Sequence, residues 1–127
     1  MCNNNEYYLC EHCGNLIEKI HDAGVSVVCC GQKMKRIEPG VMEASKEKHI
    51  PIVSVDGNKV TVNVGSVDHP MLDEHHIIWV CLQTDKGIQR KCLEVGKAPI
   101  VTFALSEEKP VAVYAYCNLH GLWKTII

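Results

Sequence analysis

The chain has 127 residues, 46% of them apolar, with eight cysteines, seven histidines and a formal charge of −2 when the histidines are neutral. That length holds one ordinary domain, or a small one joined to a compact one, and the apolar share is enough for a core. The slightly negative balance supplies no global basic field for nucleic acid or a membrane surface, and the apolar runs are too short to span a bilayer. The opening Met1-Cys2-Asn3-Asn4-Asn5-Glu6 lacks both the basic and the apolar region of a signal peptide, so a cytoplasmic location is expected. In that setting clustered cysteines read as metal ligands rather than disulfides.

The first 37 residues read as one unit. Tyr7-Tyr8-Leu9-Cys10 is a short strand that leads into Cys10-Glu11-His12-Cys13-Gly14, a C-x2-C pair closed by glycine. Val25-Ser26-Val27-Val28-Cys29-Cys30-Gly31 repeats the arrangement, a strand ending in two thiols and a glycine. Two such turns predict a four-sulfur site of Cys10, Cys13, Cys29 and Cys30, and in so short a unit a metal would supply much of the folding energy. Adjacent Cys29 and Cys30 point to opposite faces of a regular strand, so both reach one ion only where the backbone bends. Zinc and iron both suit four thiolates, and His12 and His21 are left as exposed histidines. Cys10-x-x-Cys13-Gly14-Asn15 and Cys29-Cys30-Gly31-Gln32-x-Met34 resemble the small iron module of desulforedoxin and the desulfoferrodoxins. The resemblance implies iron at this site.

Lys35 to Lys46 reads as a join, with a turn at Pro39-Gly40, and residues 38–127 as a second domain. A charged loop passes into a strand over Ile50 to Val55. Asp56-Gly57-Asn58 turns the chain into Lys59 to Val64, where the valines at 60, 62 and 64 alternate. The loop Gly65 to Met71 and the run Asp73-Glu74-His75-His76 precede an apolar strand, Ile77 to Leu82. Ile88 to Glu94, Ile100 to Leu105, Val111 to Cys117 and Leu122 to Ile126 complete the set. About seven short strands with no helical period predict an all-β protein: a small metal module followed by an antiparallel, immunoglobulin-like sandwich.

His49, His69, His75 or His76, and His120 lie at strand ends or in loops, as Cys117 does, and loops at one end of a sandwich converge. Four imidazoles and one thiolate leave one octahedral position open, which suits a redox metal better than a closed structural zinc. Backbone N–H groups in the Asn118–His120 turn are placed to temper electron donation from the thiolate.

Glu47-Lys48-His49-x-Pro51, Gly65-Ser66-Val67-x-His69-Pro70-Met71, His75-x-Ile77-x-Trp79 and Tyr116-Cys117-Asn118-Leu119-His120-Gly121-Leu122-Trp123 resemble the motifs of superoxide reductases. With the N-terminal module the chain is similar to the two-iron class. The resemblance implies a catalytic ferrous iron held by His49, His69, His75 and His120 with Cys117 as axial ligand, beside a first iron on the four cysteines. It implies one-electron reduction of superoxide to hydrogen peroxide, with rubredoxin or a similar carrier as electron donor; a homodimer is expected because so small an iron module tends to pair with a copy of itself. It also selects His75 over His76, and brings Glu47 to the open position once iron is ferric. Lys48, beside His49, is the candidate to steer the anion and help deliver a proton.

Two other classes fit part of this pattern. A blue-copper electron carrier uses two histidines, one cysteine and a weak axial ligand such as methionine, but no methionine follows His120. A zinc ribbon fused to a non-catalytic sandwich explains only the first site. Cys2, Cys81 and Cys92 match no ligand and read as reduced thiols. A two-residue Lys86-Gly87 turn would set Cys81 opposite Cys92, and a three-residue turn would shift them apart.

Overall fold

A computed structural model describes residues 5–127, so Cys2 lies outside the described residues. The chain divides into two compact units, Met1–Glu38 and Pro39–Ile127.

In the first unit, β1 (Tyr7–Leu9) is flanked by β2 (Leu16–Glu18) and β5 (Lys35–Ile37), both antiparallel to it. Lys35–Ile37, read from sequence as the start of the join, is instead the edge strand that closes this sheet. A second ribbon pairs β3 (Val28–Cys29) with β4 (Gln32–Lys33). Its two-residue loop is Cys30-Gly31, and both residues have left-handed φ, 52° and 72°. A type I′ hairpin requires positive φ at both central positions. Here a cysteine takes the place asparagine usually fills, which supplies the bend that two adjacent ligands need. Among the described residues of this unit the buried apolar side chains are few, Tyr7, Cys10 and Met34, too little for a self-sufficient core.

The second unit opens with a single helical turn, α1 (Lys46–His49), in the segment read as a charged loop. Seven strands follow: β6 (Pro51–Asp56), β7 (Lys59–Val64), β8 (Ile77–Thr84), β9 (Gly87–Cys92), β10 (Ile100–Ala104), β11 (Pro110–Cys117) and β12 (Gly121–Ile126). They form two antiparallel sheets, ordered β10-β7-β6 and β12-β11-β8-β9. The alternation on β7 is the reason for its orientation: Val60, Val62 and Val64 are fully buried and pack with Val80, Leu82, Phe103, Val113 and Ala115 from both sheets. Each fully buried valine or leucine contributes roughly 1.5–3 kcal/mol. Among the described residues no helix is long and apolar enough to cross a membrane.

Pairing at the β8–β9 turn settles the cysteine question differently from either expectation. Thr84 faces Gly87, so the two-residue loop is Asp85-Lys86, one position earlier than Lys86-Gly87. Cys92 therefore faces Trp79 and Cys81 faces Arg90, which separates the two thiols by two rungs.

The ladder registers also bring three connections to one end. Pro51 pairs with Val64, Ile77 with Cys117, and Cys117 with Gly121. The α1 turn, the Gly65–His76 segment and the Asn118–His120 turn thus share that end.

Candidate metal centres

In the first unit the donor atoms of Cys10, Cys13, Cys29 and Cys30 all lie within 4.8 Å of one another. The knuckle is held by Gly14 N–H donating to Cys10 O (2.8 Å) and Cys10 N–H donating to Asn15 O (2.9 Å). Cys13 N–H points at Cys10 Sγ (3.4 Å) and, with the His12 N–H and the Cys13 and Cys29 thiols, lowers that thiol's pKa to about 6. Crowding does the reverse elsewhere: the neighbouring Cys13 and Cys10 thiols push Cys30 up to about 12. Four sulfurs this close cannot all ionise alone, and a divalent or trivalent cation is what makes them a stable set. His12 and His21 are exposed and outside the cluster.

The second centre gathers His49, His69, His75 and Cys117, whose donor atoms again lie within 4.8 Å of one another. His120 joins them through Nδ1, 3.2 Å from His49 Nε2 and 3.9 Å from Cys117 Sγ. Its ring centroid is 5.1 Å from that of His75.

Hydrogen bonding decides which nitrogens face inward. His49 Nδ1–H donates to Ser45 O (2.6 Å) and His69 Nδ1–H donates to Pro70 O (2.7 Å). A carbonyl only accepts, so each neutral ring carries its proton on Nδ1 and a lone pair on Nε2. Those two Nε2 atoms stand 3.1 Å apart. Two lone pairs at that distance repel unless a cation lies among them. His75 Nε2 is buried with no hydrogen-bond partner, a third ring nitrogen that nothing in the protein occupies. Burial holds His49, His75 and His69 below the usual imidazole range, His69 down to about 4, so these rings are neutral and ready to ligate. Burial raises the Cys117 thiol, while the N–H groups of Leu119 and His120 act in the opposite direction. The donor set, soft sulfur with imidazole nitrogen, fits iron, copper or zinc and not magnesium or calcium. A blue-copper site would leave two of these imidazoles without a role.

Beside the cluster, the Lys48 and Glu47 side chains are exposed. The Lys48 charge lies near enough to lower both His49 and His75. His76 turns away, with its Nδ1 on Leu72 O at 2.9 Å. Sequence reasoning assigned no role to three residues that shape the site. Trp123 lays its ring 4.9 Å from that of His49 and donates Nε1–H to His120 O (3.0 Å). Gly65 sits where a side chain would strike the backbone of Glu47 and Ile50.

Asn118 is the third. Its Nδ2 donates to Glu74 O (3.1 Å), and its Oδ1 accepts from His76 N–H (2.9 Å). Its own N–H donates to His76 O (3.2 Å). The side chain therefore extends the β11–β8 ladder past Cys117 and brackets His75 on both sides. Partners of this kind are worth roughly 10–100-fold in metal affinity. Asn118→Ala is expected to weaken Co²⁺ binding at the second centre by about tenfold, read from titration of the metal-dependent visible bands, with the first centre unchanged.

Comparison with known proteins covers both units. The family profile for Desulfoferrodoxin matches residues 41–126, and that for the Desulfoferrodoxin N-terminal domain matches residues 2–37. A desulfoferrodoxin of Nitratidesulfovibrio vulgaris is 44% identical over 124 residues, 98% of each chain. The crystal structure of the superoxide reductase from Treponema pallidum superposes with a TM-score of 0.80 at 46% identity, covering 96% of this chain and 98% of that one. A one-iron superoxide reductase from Giardia intestinalis superposes at 0.57 with 30% identity, over 65% of this chain and 98% of its own.

Proposed function

The chain belongs to the desulfoferrodoxin family, and on that footing we propose that it is a superoxide reductase: one superoxide, one electron and two protons give hydrogen peroxide, without dismutation. What carries the reading is the convergence of four imidazoles on one buried thiol, with two Nε2 lone pairs turned toward each other at 3.1 Å. Iron, held by Cys10, Cys13, Cys29 and Cys30 in residues 1–37 and by His49, His69, His75, His120 and Cys117 in residues 38–127, supplies a one-electron redox couple.

The surrounding groups divide the remaining work. Ser45 O and Pro70 O fix the tautomers of His49 and His69, so neither of these two rings reorients as charge changes. Cys117 is the one anionic donor at the second centre, and the N–H groups of Leu119 and His120 moderate its basicity. Lys48 draws the superoxide anion toward the mouth and carries a proton at Nζ for the product, with Glu47 beside it at the same opening. The electron comes from outside, from rubredoxin or a carrier of similar character. The small first unit pairs with a copy of itself in a homodimer, and the protein works in the cytoplasm, where thiols stay reduced.

The direct test is iron quantification together with visible spectra before and after mixing with superoxide. Two irons per chain and oxidation of the second centre with peroxide release are expected; iron that superoxide leaves unoxidised would refute the assignment. For Lys48→Ile, the second-order rate is expected to fall about tenfold at low salt, with the gap narrowing as salt screens the charge. Iron content and ferrous absorption should match the parent. An unchanged rate at low salt would remove Lys48 from anion capture.

A further inference from the structure

Each turnover needs one electron from outside, so some surface must bring a donor close to the second centre. We infer that this surface is the hollow over Trp123, and that it accepts a small acidic one-electron carrier; the inference rests on the superoxide reductase reading above. The hollow has a volume of about 320 Å³ and is lined by Pro39, Gly40, Lys46, Ile50, Trp123, Lys124 and Ile126.

Three observations converge there. The first is contact with the ligands. Trp123 is 3% exposed yet forms part of the wall, and its ring lies against His49 while its Nε1–H holds His120 O. One residue of the wall therefore touches two imidazoles of the centre, so a donor seated in the hollow is a single residue away from the metal ligands. The second is charge. Lys46 and Lys124 are the charged residues of the lining, which contains no acid, in a chain whose net charge is −2. A locally basic wall on an acidic protein selects an acidic partner and raises its encounter rate more than its affinity. The third is composition: Pro39, Ile50 and Ile126 add apolar surface to the same lining, and Ile126 is 75% exposed. An apolar centre with a charged rim, small in area, is the form of transient electron-transfer contacts. Lys48, proposed to serve the oxidant, does not line the hollow. The carrier loses one electron, the ferric second centre gains it, and no bond forms or breaks.

The experiment uses the iron-loaded full chain and reduced rubredoxin as the probe. The second centre is oxidised chemically, and its re-reduction is followed by stopped-flow absorption, so the measurement does not depend on superoxide turnover. Re-reduction of the parent protein should slow as ionic strength rises. Lys46→Glu with Lys124→Glu should slow it about tenfold at low salt and converge with the parent at high salt. Lys46→Glu alone should give an intermediate effect, and guards against a fold defect from loss of the Lys124 contact with the Tyr114 ring. Lys59→Glu, in the β6–β7 hairpin at the other end of the strands, should have little effect. The superoxide half-reaction should change several-fold less than the rubredoxin step in every variant. Re-reduction independent of salt, equal slowing by Lys59→Glu, or equal slowing of both half-reactions would overturn the docking assignment. A parent protein that rubredoxin re-reduces but superoxide does not oxidise would refute the enzyme reading instead.

Discussion

Cys117→Ser is expected to abolish the sulfur-to-metal absorption of the second centre and to lower superoxide reduction by at least about a hundredfold, beyond the range of outer-shell changes. The replacement is nearly isosteric, but a serine hydroxyl does not ionise near neutral pH, so the centre loses its one anionic donor. Cys117 is fully buried at the end of β11, and its pairing with Ile77 and Gly121 is made by the main chain, which the change leaves intact. The far-UV circular dichroism should therefore match the parent, and the cost in stability should stay within about 1–3 kcal/mol for a buried hydroxyl. The first centre has its own four sulfurs, so its iron and spectrum serve as an internal standard. Full iron at the second centre with parental bands would show that Cys117 is not a ligand.

Much of this was legible locally. A thiol pair closed by glycine is a turn with its sulfurs on one side, and alternating valines at 60, 62 and 64 declare one buried face, so both kinds of element could be read from a few consecutive residues. The ligand candidates were legible for the same reason, since histidines and cysteines at strand ends are conspicuous and strand ends converge. What escaped had no local signal. The α1 turn is four residues long, too short for any 3.6-residue period, and β2 and β5 are three residues each. The β8–β9 register turned on one residue, because Asp85-Lys86 and Lys86-Gly87 are both credible two-residue loops and the choice moves every cross-strand partner. The roles of Asn118 and Trp123 depend on partners 42 to 74 positions away, contacts that only the closed sandwich creates.

Gly65 belongs to that last group, and Gly65→Ala should be the most damaging single-methyl change in the second unit. No unusual φ requires glycine there; the constraint is space. A Cβ would lie 2.5 Å from Glu47 O, 2.9 Å from Ile50 O and 3.1 Å from the Lys48 carbonyl carbon, all of them backbone atoms that no rotamer change can move aside. The α1 turn would have to shift, and with it Lys48, His49 and the Nδ1–H bond to Ser45 O. The same loop also grips that turn directly, through Val67 N–H (3.0 Å) and Ser66 Oγ–H (3.2 Å), both donating to Glu47 O. Overpacking of this kind costs about 1–3 kcal/mol, which in a unit of this size lowers Tm by at least about 4 °C. The functional loss should exceed the loss of stability, because the displaced turn carries both His49, a proposed ligand, and Lys48, proposed to steer the anion. Iron at the second centre should fall, and the superoxide rate per remaining iron should drop by about tenfold or more, beyond the Lys48→Ile effect alone. Ser66→Ala, which removes one solvent-exposed hydrogen bond and adds no bulk, is the matched control and should cost no more than about 1 kcal/mol. Parental Tm, iron content and rate in Gly65→Ala would mean that the loop yields instead of the turn, and the close approach of Gly65 to α1 would then have no part in placing Lys48 and His49.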